Sequence, residues 1–433
     1  MSEDAANVGA VKPLSDRVIL LAVCGYAVAF VAFGFVVDGP ARVLRGLVDI
    51  LTTRDALLTD YFGIGGIGAG CVNAGLLTLC ACLVYHLAKA RITGAVVACL
   101  FLVLGFGLFG KNLLNIWSIV LGVFLYARFK GEPFSAHINT AFFGAALAPV
   151  FSEILFSTTL PLEFRVPLAV VTSLVIGFIL APAAAQLFKA HMGYSLYNMG
   201  FTAGIVGTLV VAMYKSYGFV PDPVMIWTSG NNRLLGTFLS LLFASMVAIG
   251  FYLDRSLWPR LKTIMATTGQ APTDFIPLAG FGPTLANMGL TGAIGTAYVL
   301  LVGGDLNGPV IGAIFTIVGF AAFGKHSRNI VPIMAGVFLG SLLRPLTAAD
   351  PSILLAALFG TTLAPIAGRF GWHWGVVAGL IHSSAALSVG SLHAGLNLYN
   401  NGFAAGLVAS VLVPVIIAIR ARREPAGPPA SPD

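Results

Sequence analysis

The chain has 433 residues, of which 58% are hydrophobic and only 9% charged, with a formal net charge of +7. So little polar surface cannot cover a water-soluble globule of this size, and the chain reads as a polytopic membrane protein. Its basic residues are scattered singly between apolar runs and form no stripe, which speaks against nucleic acid and for loops retained on the cytoplasmic side.

The first sixteen residues are polar and are expected to form a cytoplasmic tail. Residues 17–37 are long enough, at about 1.5 Å rise per residue, to cross a hydrocarbon core of roughly 30 Å. No small-residue cleavage site follows, so this run reads as a retained first helix. No β-barrel alternation is present, and the fold class expected is an all-α integral membrane protein. Over 42–60, Val43, Leu44, Leu47, Ile50 and Leu51 recur at helical spacing among Arg45, Asp49 and Arg54. That pattern predicts a short helix lying in the membrane interface, within a unit spanning 17–60. The five cysteines, Cys24, Cys71, Cys80, Cys82 and Cys99, have no metal-site spacing and read as small packing residues.

From residue 61 the chain repeats itself. HMGYSLYNMGFTAG at 191–204 returns as HAGLNLYNNGFAAG at 393–406, where 400 − 198 gives an offset of 202. VNAGLLTL at 72–79 returns as ANMGLTGA at 286–293, and FGKNLLNIWSIVLGVFL at 109–125 as FGKHSRNIVPIMAGVFL at 323–339. Both pairs share one offset, since 287 − 73 and 325 − 111 each give 214. FFGAALAPV at 142–150 pairs with LFGTTLAPI at 358–366. Four landmarks in one order mark an internal duplication. The expected organisation is repeat 1 over 61–214, a linker over 215–274 with one crossing near 237–253, repeat 2 over 275–419, and a basic, Pro-rich disordered end over 420–433.

Each repeat holds about six apolar segments, so seven crossings separate equivalent points and the second repeat is expected to be inverted. Basic residues give an independent test of this. With the N-terminus inside, Lys89, Arg91, Arg128, Lys130, Lys189, Arg255, Arg260, Lys262, Lys325, Arg328, Arg369, Arg420, Arg422 and Arg423 all fall inside. Fourteen apolar segments in an inner plasma membrane, with both termini cytoplasmic, satisfy both counts.

Asn-x-Gly followed by a large apolar residue occurs at Asn73, Asn198, Asn287 and Asn400. Such sites can break a helix and aim an amide and free backbone groups at a solute, or can simply let helices pack closely. Tyr197 and Tyr399 precede two of these breaks and share the expected role. Phe109-Gly110-Lys111 and Phe323-Gly324-Lys325 join segments too short to span, as in a re-entrant hairpin, and would bring Lys111 and Lys325 toward the membrane interior from opposite faces. The plainer alternative is two loop lysines in the headgroups. His191, His393 and His382 are candidates for proton coupling, as is Glu153, the acid nearest an apolar stretch, although a structural or interfacial role is the commoner one for each. HExxH, GxSxG, GxxxxGK[ST] and CxxC are absent, so no enzyme, cofactor or metal is expected.

At these motifs the chain resembles a family of bacterial polytopic membrane proteins of unknown function, a likeness that implies membrane location and no substrate. Tyr197-Asn198 and Tyr399-Asn400 are also similar to the Asn- and Gly-rich helix breaks of urea-transporter-type channels, without the Asn-Pro of that family. The leading expectation is a secondary active transporter for a small polar or anionic solute bound between the repeats. A facilitative channel for a small neutral solute is the alternative, and a membrane-embedded enzyme or assembly subunit the third reading. The partners expected are that solute or ion and the lipid bilayer; a homo-oligomer is compatible, with no face marked for it.

Overall fold

The computed structural model describes residues 13–158, 160–221 and 224–422. The expectations for the first twelve residues, for Arg423 and for the Pro-rich end fall outside the described residues. The first half consists of α1 (Asp16–Thr52), α2 (Tyr61–Leu87), α3 (Gly94–Phe106), α4 (Trp117–Lys130), α5 (Ile138–Gly144), α6 (Ala148–Ser157), α7 (Leu162–His191) and α8 (Asn198–Ser216). The second half consists of α9 (Asn232–Leu253), α10 (Leu257–Met265), α11 (Phe275–Ala279), α12 (Phe281–Leu301), α13 (Gly308–Phe320), α14 (Ser327–Ser341), α15 (Pro351–Gly360), α16 (Ala364–Phe370), α17 (Trp372–Val389) and α18 (Asn400–Ala421). Leu58–Thr59 and Met225–Ile226 form a short parallel bridge. Among the described residues nine helices are long and apolar enough to cross a membrane, counting α5 with α6 and α15 with α16 as single spans. The protein is an all-α, multi-pass membrane protein.

The expected interfacial helix over 42–60 takes a different form. Pro40 follows Gly39 at φ 71°, and the chain kinks there and continues to Thr52 as the second arm of α1. Val43, Gly46 and Ile50 are buried on one side of that arm while Arg42, Arg45 and Asp49 stay exposed, as the helical spacing requires. Residues 53–60 form a loop, and Asp55 and Asp60 are buried in it.

The two halves repeat in their bonding as well as their letters. Asp60 and Asp274 cap α2 and α11 by accepting from the amides of Phe62 and Ile276, each at 3.0 Å. Gly66 at φ 88° kinks α2 and Gly280 at φ 91° separates α11 from α12, both backbone angles that only glycine adopts without strain. Matching contacts extend to the helices outside the expected repeat boundaries. In α1, Gly34 lies against the Gly68 carbonyl; in α9, Gly250 lies against the Gly282 carbonyl. Asp38 accepts from the amide of Gly68 at 2.6 Å, and Asp254 sits beside Gly282.

Close glycine contacts between helices join the halves. Equivalent helices α3 and α13 run antiparallel, since Gly105 meets Gly312 while Gly319 meets Ala98. The cap residues are exchanged at the two ends of that pair: Asp60 accepts from the amide of Gly308 at 3.1 Å, and Asp274 from that of Gly94 at 3.0 Å. Near their N-termini α8 and α18 cross at Gly200 and Gly402, where a Cβ on either would lie 2.8 or 2.9 Å from the other's Cα. Gly200→Ala should therefore lower stability by about 1–3 kcal/mol, read as thermal stability in detergent. Gly25→Ala on α1, where nothing lies within 4 Å of the new methyl, should be neutral or stabilising by a few tenths of a kcal/mol to about 1 kcal/mol.

Candidate solute-binding site

Helices α3 and α13 have 13 residues each, or roughly 20 Å at about 1.5 Å per residue, short of a bilayer core of about 30 Å. Each ends in a tight turn that carries a lysine. The Lys111 amide donates to Phe106 O at 3.1 Å and the Lys325 amide to Phe320 O at 3.0 Å. Asn73 of α2 holds the first turn, its Nδ2 donating to the carbonyls of Gly107 at 2.7 Å and Lys111 at 3.0 Å. Asn287 of α12 holds the second, donating to Ala321 and Lys325 at 2.8 Å each. Asn115 and Asn329 close the loops from the far side, donating to Gly110 O at 3.1 Å and Gly324 O at 2.9 Å. Asn73 and Asn287, expected at the solute, thus spend their amides on fixing the lysine turns.

Both lysines are fully buried. Lys325, counted by its charge among the inside loop residues, sits in a buried turn between α13 and α14. Lys111 Nζ donates to Tyr399 Oη at 2.6 Å and to Phe142 O at 3.1 Å, and lies 4.9 Å from the Tyr399 ring centre. Lys325 Nζ donates to Tyr197 Oη and, at 2.8 Å, to Thr361 Oγ1, and lies 4.5 Å from the Tyr197 ring centre. Each lysine therefore reaches the tyrosine of the other half. Among the described residues neither forms an ion pair with a carboxylate. Hydrogen bonds and ring faces offset part of the cost of burying the amino groups.

The tyrosines sit where the chain breaks between α7 and α8 and between α17 and α18. Each break docks on the single 3-10 turn that interrupts a span of the other half. The Leu196 amide donates to Thr362 O at 3.1 Å, and the Leu398 amide to Ala146 O at 3.0 Å. A His–Asn clip secures each break. His191 Nε2 pairs with Asn198 Oδ1 at 2.9 Å while Asn198 Nδ2 donates to Ala184 O at 3.0 Å. His393 and Asn400 repeat this at 3.0 Å, with Asn400 bonded to Ala386 O at 3.0 Å.

Between the halves lies a cavity of about 230 Å³, lined by Tyr197 and Tyr399, by phenylalanines including Phe106 and Phe320, and by the polar residues Asn139, Thr140, Ser195, Asn198, Thr316 and Asn401. At about 30 Å³ per water this is roughly seven water volumes, the scale of a small solute. Of the expected solute contacts, Tyr197, Tyr399 and Asn198 line it. Lys111 and Lys325 stand behind the tyrosines; Asn400, His191 and His393 belong to the clips. Glu153 lies on α6, buried and ion-paired to Arg54 at 3.4 Å, and does not line the cavity.

His382 has no histidine counterpart, and its partner explains why. His382 Nε2 pairs with Asn401 Oδ1 at 3.1 Å, while an offset of 202 puts Leu180 and Met199 at these places in the first half. A polar pair thus replaces an apolar one, and of the four residues Asn401 and Met199 line the cavity. Asn401, like Asn139, Thr140, Ser195 and Thr316, escaped the sequence reading; its departure from the repeat was the signal that could have found it.

Antiparallel equivalent helices, broken spans and a central cavity with buried lysines define a multi-pass membrane protein built from two related halves. The chain belongs to the family described as "Protein of unknown function (DUF1576)", which matches it over residues 39–216 and 253–418. The matched stretches begin 253 − 39 = 214 residues apart, the offset of the lysine turns. Neither the curated proteins nor the solved structures gave a match, so the likeness to urea-transporter-type channels gains no support from them.

The crossed pairs make a specific prediction. In stability measurements Lys111→Met and Tyr399→Phe should be non-additive by about 1 kcal/mol or more, whereas Lys111→Met and Tyr197→Phe should add within about 0.5 kcal/mol.

Proposed function

We propose that the protein is a membrane transporter that moves a small polar or anionic solute through the cavity between two inverted repeats, by secondary active transport. The observation that carries this reading is the crossed arrangement, in which Lys111 bonds Tyr399 and Lys325 bonds Tyr197 around one cavity that both tyrosines line. The two lysines, when protonated, supply positive potential, amides and hydroxyls supply hydrogen bonds, and phenylalanine rings exclude water.

On this reading each repeat has seven segments. Helix α1 is the counterpart of α9 with α10, as the paired glycine contacts Gly34–Gly68 and Gly250–Gly282 support. The short helices α3 and α4 form one re-entrant hairpin and α13 and α14 the other; with α17 counted as a crossing beside the nine longer spans, five crossings per repeat remain and the second copy is inverted. Charge agrees with that orientation. The open end of the first hairpin carries Lys89, Arg91, Arg128, Lys130 and Glu132, and that of the second carries Asp305, Arg344 and Asp350. The excess of basic residues on the first supports a cytoplasmic side for it, in an inner membrane and together with both termini. Inverted repeats supply two related, oppositely facing states, and the docked breaks are the places where one exchanges for the other.

A facilitative channel for a neutral solute is the second reading. It is favoured by one observation, that the lysines sit behind their tyrosines while the polar lining of the cavity is uncharged. No enzymatic step enters either reading.

Proteoliposome uptake separates them, with small carboxylates, inorganic anions and urea as probes. The transporter reading predicts uptake of at least one anion, falling at least about tenfold in Lys111→Met and Lys325→Met, the scale of a lost charge-assisted contact. Urea flux unchanged in both variants would give the channel, and no flux of any probe would contradict both.

A further inference from the structure

The loop 53–60 holds a carboxylate that the transport reading does not use. Asp55 is fully buried. Tyr61 Oη donates to its Oδ1 at 2.8 Å; Asn115 Nδ2, Ser152 Oγ and Asn112 Nδ2 donate to its Oδ2 at 2.9, 2.9 and 3.1 Å. Among the described residues no cation is ion-paired to it.

Comparison of the halves shows that this carboxylate is not needed to build the loop. The offset of 214 places Gly269 at Asp55, Phe275 at Tyr61 and His326 at Asn112, and the offset of 216 places Gly368 at Ser152. Only Asn115 has its counterpart, Asn329. The Lys325 turn nevertheless closes with the same bonds as the Lys111 turn, Asn329 to Gly324 O and the His326 amide to Asn329 Oδ1. Asp55 therefore adds something to the first half that the fold does without in the second.

Its partners suit a group that changes protonation. Ser152 Oγ and Tyr61 Oη each donate to Asp55 and also accept, from Asn115 Nδ2 at 3.2 Å and Asn112 Nδ2 at 3.3 Å. A hydroxyl can turn from donor to acceptor, so either can receive the proton of a neutral carboxyl, whereas the two amides bond strongly only to the anion. The charged form thus grips Asn112 and Asn115, which belong to the Lys111 loop, and the neutral form loosens that grip. We propose that Asp55 is a proton-binding site whose occupancy sets how firmly the Lys111 turn is held.

The other titratable groups on the surrounding elements are Tyr61 of α2, Lys111 on the same loop, the Arg54–Glu153 pair beside α6, and His393 in the break whose Gly395 packs on Ala56 and Leu57. Burial pushes the Asp55 carboxyl up to about 7 against the pull of Tyr61, Ser152 and Asn115. The folded protein then binds one more proton than the unfolded chain between about pH 4 and about pH 7. This group's contribution to stability is present at low pH and is lost as pH rises through that window.

Infrared difference spectroscopy of the full chain in nanodiscs, titrated from about pH 5 to about pH 9, tests the site. A protonated-carboxyl band should titrate near pH 7 and vanish in Asp55→Asn. Ser152→Ala, which removes one donor to the anion, should move its midpoint up by about one pH unit. Asp55→Asn should also remove the fall in thermal stability between about pH 4 and about pH 7. An unchanged spectrum in Asp55→Asn, or in Ser152→Ala an unmoved midpoint should the first variant fail to fold, would overturn the proposal. The site does not depend on transport: a titrating Asp55 without solute flux leaves the proton site and removes the transporter, and flux without the band does the reverse.

Discussion

Two buried lysines with no carboxylate partner among the described residues set the terms for the centre of this protein. An isolated charge taken from water into an apolar interior costs several kcal/mol even after relaxation, and the chain meets that cost with hydroxyl and carbonyl acceptors and ring faces rather than carboxylates. Lys111 and Lys325 keep their positions because Asn73 and Asn287 hold the turns that carry them, and because a tyrosine from the opposite half supplies an oxygen. The tyrosines can reach only because α7–α8 and α17–α18 are broken, and the breaks persist because the interrupted spans α5–α6 and α15–α16 offer carbonyls to dock on. Removing one lysine should therefore disturb contacts in both halves.

The halves depend on each other for the same reason. Helix caps, lysine partners and break-docking bonds are all exchanged across the boundary, so neither half satisfies its own polar groups alone. Glycine permits the approach: at the α3–α13 and α8–α18 contacts backbone lies on backbone, the kind of packing that stabilises helices in lipid, where apolar burial gives little drive. The symmetry is imperfect in an informative way. Thr361, Thr362, His382 and Asn401 of the second half stand where the first half has Ala145, Ala146, Leu180 and Met199. Asp55 adds a titratable group to the first half.

Much of this was legible in the sequence because the residues that recur are those with geometric duties. Gly, Asn, Asp and Lys at fixed offsets exposed the duplication, and the shortness of the segments around Lys111 and Lys325 matches the 13 residues of α3 and of α13. The exchange of partners was hidden, since Lys111 and Tyr399 are far apart in the chain and nothing local links them. The match of α1 with α9 and α10 was also hidden. Outward-facing apolar positions drift freely among Leu, Val and Phe, so only Gly34 and Asp38, with Gly250 and Asp254, remain in register. Asp55 looked like one more charge on an amphipathic helix until the kink at Gly39-Pro40 moved the helix end and turned residues 53–60 inward.

The central claim is that the two halves face opposite sides of the membrane around one cavity. Leu114 and Arg328 are equivalent, since 328 − 114 gives 214, and both are exposed, Leu114 in the loop that carries Lys111 and Arg328 in the first turn of α14, just after Lys325. Leu114→Cys and Arg328→Cys, each introduced singly after replacement of the five native cysteines, report directly on sidedness when sealed, oriented vesicles are treated with a membrane-impermeant thiol reagent. Labelling of the two positions from opposite sides is the predicted result. Labelling of both from one side would contradict the inverted architecture and the transport mechanism that rests on it.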